Sequence, residues 1–183
     1  MTRADQVSAG TASLILTNND ELEAHRMAKS ENSTKIPADN GAIFHPETLP
    51  SIYALELTGD CLDPVVKDGW LGAFSPVVTF EPDDFVAIFF KHRFPEFRGT
   101  NVLLKRLVLG PPDGFDFTAS PMKGEALPVI VAEQLNPAKQ FFFRCRDILA
   151  VHKCVGWYER GQKPALTLTD TEHRMIFGQP EAA

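Results

Sequence analysis

Ile52-Tyr53-Ala54-Leu55-Glu56-Leu57-Thr58-Gly59-Asp60-Cys61-Leu62-Asp63-Pro64 reads as a strand that runs into a tight turn. Tyr53, Leu55 and Leu57 alternate with Ala54, Glu56 and Thr58, the period of two of a half-buried strand. Gly59-Asp60 then breaks the strand, and Pro64 disfavours a return to one. Cys61 stands between these breakers. A side chain just past a strand end, on a turn held by a rigid scaffold, is well placed for function. The plainer reading is a strand–turn boundary with a buried cysteine.

A second strand, Asn101-Val102-Leu103-Leu104-Lys105-Arg106-Leu107-Val108-Leu109, carries a lysine at its centre. Period two puts Leu103, Lys105, Leu107 and Leu109 on one face, which is otherwise wholly apolar. Val102, Leu104, Arg106 and Val108 share the other. A lysine on an apolar face is unusual for a solvated cation, so partial desolvation of its ammonium is expected.

The remaining chain reads as mainly β, with twisted, mostly antiparallel sheets. Residues 70–74 form a strand after the Asp68-Gly69 turn, and the apolar run 85–90 reads as a strand buried on both faces. Residues 91–100 read as a long projecting loop. Its basic residues, interleaved with Phe94 and Phe97, could touch nucleic acid or protein; folding of these aromatics back onto the body is the favoured alternative. Residues 129–131 and 140–143 are strands around an Asn136-Pro137 turn, 148–158 the last strand, and 169–177 either a short helix or part of a loose tail. Ahead of them, 12–17 reads as a short strand, 18–29 as a capped helix and 30–40 as a loop. The expected organisation is an N-terminal arm with a short helix and no helix-turn-helix over 1–50, a β domain over 51–160 and a tail over 161–183.

At 183 residues the chain suits one domain with a sizeable core. A net charge of -6 gives no global attraction to nucleic acid. Three widely spaced cysteines make no disulfide framework, which fits a reducing, cytoplasmic setting. There is no apolar stretch long enough to span a bilayer and no secretory signal pattern. No phosphate loop or dinucleotide glycine pattern is present, so no cofactor is expected. Cys145, His152 and Cys154 lack paired metal-ligand spacing; His152 and Cys154 share a strand face, and buried structural cysteines are the favoured reading over a metal site.

Gly59-Asp60-Cys61-Leu62-Asp63-Pro64 resembles the Gly-Asp-Ser-Met-x-Pro box of the LexA-type self-cleaving peptidases, which include LexA, phage repressors and the UmuD proteins. Lys105-Arg106, on a strand, resembles the family's second box. The pair in this order spans the part of the chain between residues 52 and 159. The resemblance implies a LexA/signal-peptidase-like β-fold, Cys61 as nucleophile in place of serine, and Lys105 as general base. It also implies a homodimer, formed through the closing-strand region, and a RecA-type recombinase filament or a DNA-binding regulator as partner, in DNA-damage or prophage control. The short arm fits the UmuD architecture better than the repressor one, and the missing signal segment argues against the membrane-anchored signal peptidases. Leu62 for Met and Trp70 after Gly69 depart from the family pattern.

A cysteine alters the chemistry. With reference values of about 8.5 for Cys and about 10.4 for Lys, the pair rests as thiolate and ammonium unless burial disfavours both charges. Thiolate is a good nucleophile, and the ammonium can protonate a leaving amine. Sulfur is larger than oxygen, however, so an oxyanion hole shaped for serine is expected to be misaligned and the activity weakened or lost. The bonds Ala9-Gly10 and Asn40-Gly41 are weak candidates for self-cleavage. A non-catalytic dimerisation or partner-binding module is the alternative, and a redox-sensing Cys61 ranks third.

Overall fold

The computed structural model describes residues 11–15, 44–95, 99–119 and 128–177. The expected helix over 18–29, the loop over 30–40 and both candidate cleavage bonds lie outside the described residues. Eight strands make one sheet: β1 (Thr11–Ile15), β2 (Tyr53–Thr58), β3 (Leu71–Ser75), β4 (Phe85–Phe94), β5 (Thr100–Leu109), β6 (Val129–Leu135), β7 (Ala138–Arg144) and β8 (Ile148–Tyr158). Their order is β1-β2-β3-β8-β4-β5-β6-β7, and every pairing is antiparallel. The fold is mainly β, as the alternating sequence pattern predicts.

One further pairing gives the sheet its shape. Thr11 of β1 pairs with Thr58 of β2 and also with Leu103 of β5. Six strands thereby close into a ring, and the β6–β7 hairpin extends from it. β5 takes β4 along one edge and divides the other between β1, at Leu103, and β6, from Arg106 onward. Lys105 sits at that fork.

The alternation in β4 and β5 fills two cores at once. Ala87, Phe89, Val102 and Leu104 point into a cluster with Tyr53, Leu55, Leu57 and Phe74. Val86, Ile88, Phe90, Leu103 and Leu107 join Ile130, Ala132 and Ile148 on the other side. Each of these large side chains contributes about 1.5–3 kcal/mol on full burial. The expectation that residues 85–90 are buried on both faces therefore holds from Val86 to Phe90.

Residues 91–100 are not one long loop. β4 continues to Phe94, which pairs with Thr100, and Gly99 turns the hairpin with a φ of 72°. Charged side chains do not end this strand because Lys91 and His92 are exposed and need no apolar neighbour. Phe94 folds back edge-on against Phe90, with ring centroids 4.6 Å apart. Residues 96–98, Phe97 among them, lie outside the described residues.

Of the two readings of residues 169–177, the structure has the helix: α1 (Asp170–Phe177). Thr169 and Glu172 form a capping box, with the Glu172 N–H donating to Thr169 Oγ1 and the Thr169 N–H donating to Glu172 Oε2. Ile176 packs against Ile52, Ala73, Val78 and Val155. Lys153 reaches both Asp84 and Glu172 at 3.3 Å and ties the helix to the sheet. Gly156 lets the segment lie close: a Cβ there would stand 2.4 Å from the Ala165 carbonyl oxygen. Gly156→Ala should therefore lift this segment, costing about 1–3 kcal/mol. Limited proteolysis checks it, with faster cutting between residues 160 and 177 in the variant.

A second weak point is His152, buried beside Tyr53 and Phe89 with Nδ1 2.7 Å from the Tyr53 hydroxyl. Burial pushes its pKa down to about 4. A folded-state value below the unfolded 6.5 means full stability above pH 6.5 and loss as pH falls toward 4, by roughly 3 kcal/mol at most. His152→Gln keeps a partner for Tyr53 but cannot titrate. Urea midpoints should fall less between pH 7 and 4 in this variant than in the wild type.

Candidate active site

Cys61 lies just beyond β2 on a turn fixed at several points. The Gly59 N–H donates to Asp68 Oδ1 at 2.6 Å, and the Gly69 N–H donates to the Leu57 carbonyl at 2.8 Å. Within the turn, Asp63 donates to the Asp60 carbonyl, and Val65 and Val66 donate to that of Leu62. Gly59 and Gly69, with φ of 98° and 80°, adopt backbone that other residues resist. The two glycines of the quoted box and its neighbouring turn are thus demanded by geometry.

A distant segment holds Cys61 itself. Its carbonyl accepts the N–H groups of Leu135 at 2.7 Å and Asn136 at 3.2 Å, at the turn between β6 and β7. Asn136 Nδ2 also donates to Asp60 Oδ2 at 3.3 Å. The sequence reading finds Asn136-Pro137 only as a turn. No local signal announces the clamp, because it spans more than seventy residues.

The Cys61 side chain is fully buried in the first core cluster. Its Sγ lies 3.9 Å from the carbonyl oxygen of Leu104, the residue that precedes Lys105. Lys105 is also completely buried, at 0% exposure. The apolar face read from the sequence predicts partial desolvation; the enclosure is total. Nζ lies close enough to Cys61 to feel its charge, and 5.4 Å from the centre of the Phe141 ring. Among the described residues it makes no hydrogen bond of good geometry.

Burial pushes the Lys105 pKa down, and a thiolate at Cys61 would only partly oppose this. Burial thus makes the amine easier to deprotonate than an exposed lysine. An uncharged amine beside a thiol can take its proton and later return it to a leaving amine, which is general base and general acid work by one group.

The other candidates are not drawn together. His152 is engaged with Tyr53, and the Cys154 thiol faces the Gly156 carbonyl oxygen at 3.4 Å. Burial pushes Cys154 up to about 12 and raises Cys145 as well, so both are unreactive thiols. Among the described residues, no three His, Cys, Asp or Glu side chains lie close enough to hold a metal ion. A cavity of about 580 Å³ opens elsewhere, lined by Glu47, Lys91, Phe117, Leu149 and His152 among others; neither Cys61 nor Lys105 borders it. Its polar groups do not converge with a nucleophile, so the Cys61–Lys105 pair is the better candidate. No helix among the described residues is long and apolar enough to cross a membrane. No family model matches the chain, and comparison with curated proteins and with solved structures gives no match.

An unpaired buried amine costs about 1–3 kcal/mol. Lys105→Met, of similar length and without the polar atom, should raise stability by an amount in that range near neutral pH. In the wild type the lowered folded-state pKa makes stability fall as pH drops from the unfolded value of 10.5 through the folded one. Chemical denaturation of both proteins across this window checks the sign: the wild-type curve should rise with pH and the variant's should stay flatter.

Proposed function

We propose that this chain is a LexA/UmuD-like peptidase-fold regulator whose Cys61–Lys105 pair cuts its own N-terminal arm slowly. The observation that carries the reading is Lys105: fully buried, unpaired and next to a thiol, it is costly to the fold and suited to proton transfer. Two box-like segments met as resemblances in the sequence thus lie in contact, which supports their belonging to one site.

The burial also favours action in cis. Any peptide bond reaches the fully buried Cys61 only by displacing part of the body of the protein, and a segment whose strand is already paired beside the site needs the smaller displacement. The arm is already at hand. Thr11 pairs with Thr58, three residues before Cys61, and with Leu103, two residues before Lys105. Ala9-Gly10 directly precedes Thr11 in sequence. Its distance along the chain from Cys61 makes it weak as a candidate by sequence; the register of β1 strengthens it.

In the reaction, neutral Lys105 takes the Cys61 proton as sulfur attacks the Ala9 carbonyl carbon. The bond to Gly10 breaks, and the nitrogen leaves with the proton returned by Lys105. A thioester on Cys61 remains, which water hydrolyses to free thiol and a carboxylate. A homodimer and a recombinase filament belong to this reading as partners.

Intact-mass spectrometry under reducing conditions, over days and from neutral to alkaline pH, tests the proposal. Wild type should lose residues 1–9, faster as pH rises through the lowered Lys105 pKa. Cys61→Ala and Lys105→Ala should stay whole. Cleavage that persists in either variant, or wild type that stays whole with and without an activated recombinase filament, would sink the self-cleaving reading. The non-catalytic binding module would then stand in its place.

A further inference from the structure

The segment Gln134-Leu135-Asn136-Pro137 holds the Cys61 backbone and continues the strand that runs beside the one carrying Lys105. Leu135 and Asn136 hold the Cys61 carbonyl. One residue earlier, β6 runs beside β5. Arg106 pairs with Glu133 in register, and their side chains form an ion pair on the partly exposed face. The adjoining residues of the two strands are Lys105 and Gln134, which alternation turns to the opposite, buried face. Lys105 and Gln134 are 0% and 1% exposed.

Gln134 is held in a way that leaves one atom free. Its Nε2 donates to the Pro137 carbonyl at 2.9 Å, which fixes the amide plane. Its Oε1 is a buried acceptor with no hydrogen-bond partner among the described residues. Lys105 Nζ is a buried donor whose polar neighbour is the Cys61 thiol, a weak acceptor, and it makes no hydrogen bond of good geometry among the described residues. Buried polar groups seldom stay unpaired, and each such exception calls for a reason. Here a complementary donor and acceptor lie on neighbouring strands, at the point where a proton has to be handled.

We propose that Gln134 is the positioning residue of Lys105: its Oε1 accepts a hydrogen bond from Nζ and turns the nitrogen lone pair toward the Cys61 thiol. The role rests on Lys105 being the base of the reading above. The residue type suits the task. A carboxylate here would hold Lys105 as an ammonium, useless as a base. An apolar side chain would leave the amine free to rotate. A neutral amide oxygen orients the amine without forcing it to stay charged. Both atoms are unpaired in the structure, and the bond tightens as Nζ takes up its proton, which favours the ammonium and so raises the Lys105 pKa.

The test uses the full chain as wild type, Gln134→Glu and Gln134→Met. Lysine Cε resonances are followed against pH by NMR, with Lys105 assigned from Lys105→Met, and cleavage is followed by intact mass in parallel. Gln134→Glu should raise the Lys105 midpoint by about one pH unit or more and move the rise of the cleavage rate by the same amount. Gln134→Met should lower the midpoint and slow cleavage about ten- to a hundredfold. A purely structural glutamine would leave the Lys105 midpoint where it is. An unchanged midpoint in both variants overturns the proposal even if all three proteins cut themselves. A midpoint that follows residue 134 while no protein cleaves, wild type included, supports the contact and removes the peptidase reading instead. If Gln134→Glu does not fold, the downward shift in Gln134→Met decides.

Discussion

Lys105 is held where a cation is least welcome, and most of the architecture explains how. β5 is covered by two cores, one on each face, so a side chain from its middle has no direct way to water. Both its edges are in use as well: β4 takes one, and β1 and β6 share the other. The amine ends at the fork, against a thiol and an aromatic ring. Remove the fork and water reaches the nitrogen, and its pKa returns toward the ordinary lysine range. The chemistry of the site is thus a consequence of how the sheet closes.

That closure gives β1 two roles. An open edge on β5 would expose unpaired backbone groups, which invites pairing with another chain. β1 covers part of that edge and joins it to β2, whose far end carries the Cys61 turn. Residues 11–15 of the arm are therefore members of the sheet and, in the proposed function, the strand that follows the cut bond. A cut ahead of Thr11 would leave β1 in place, so the ring could survive its own processing. β8, the last strand, lies in the middle of the sheet with both edges paired to β3 and β4. The C-terminal segment also packs against Val155 and Gly156. A dimer of this chain would need a surface other than a free edge of β8.

Much of this is legible in the sequence because it is local. The alternation from Tyr53 to Leu57 and the breakers Gly59 and Pro64 mark β2 and its turn, and the apolar face around Lys105 foretells its burial. Thr169 and Glu172, three apart, mark the start of α1 once their capping pattern is recognised. What stays hidden is long-range or depends on context. Lys91 and Arg93 look like loop residues, yet they continue a strand because its end leaves the body of the sheet and tolerates charge. The clamp of Asn136 on Cys61, the pairing of Thr11 with Leu103, and the place of Gln134 beside Lys105 all follow from register between distant strands. No window of sequence contains that register.

A cysteine at position 61 fits the dryness of the site better than a serine would. A hydroxyl in the Cys61 position would demand a strong hydrogen-bond acceptor within the first core cluster. A thiol behaves as a small apolar group with a weak donor, and the contact of Sγ with the Leu104 carbonyl oxygen at 3.9 Å is long and undemanding. The cost appears on the reaction path. Moving a proton from sulfur to Nζ creates two charges in an enclosure that solvates neither well, and only developing contacts in the transition state can offset this. In the proposed function this makes the proton transfer slow. That is a poor design for rapid turnover; within the proposed function it suits a single cleavage.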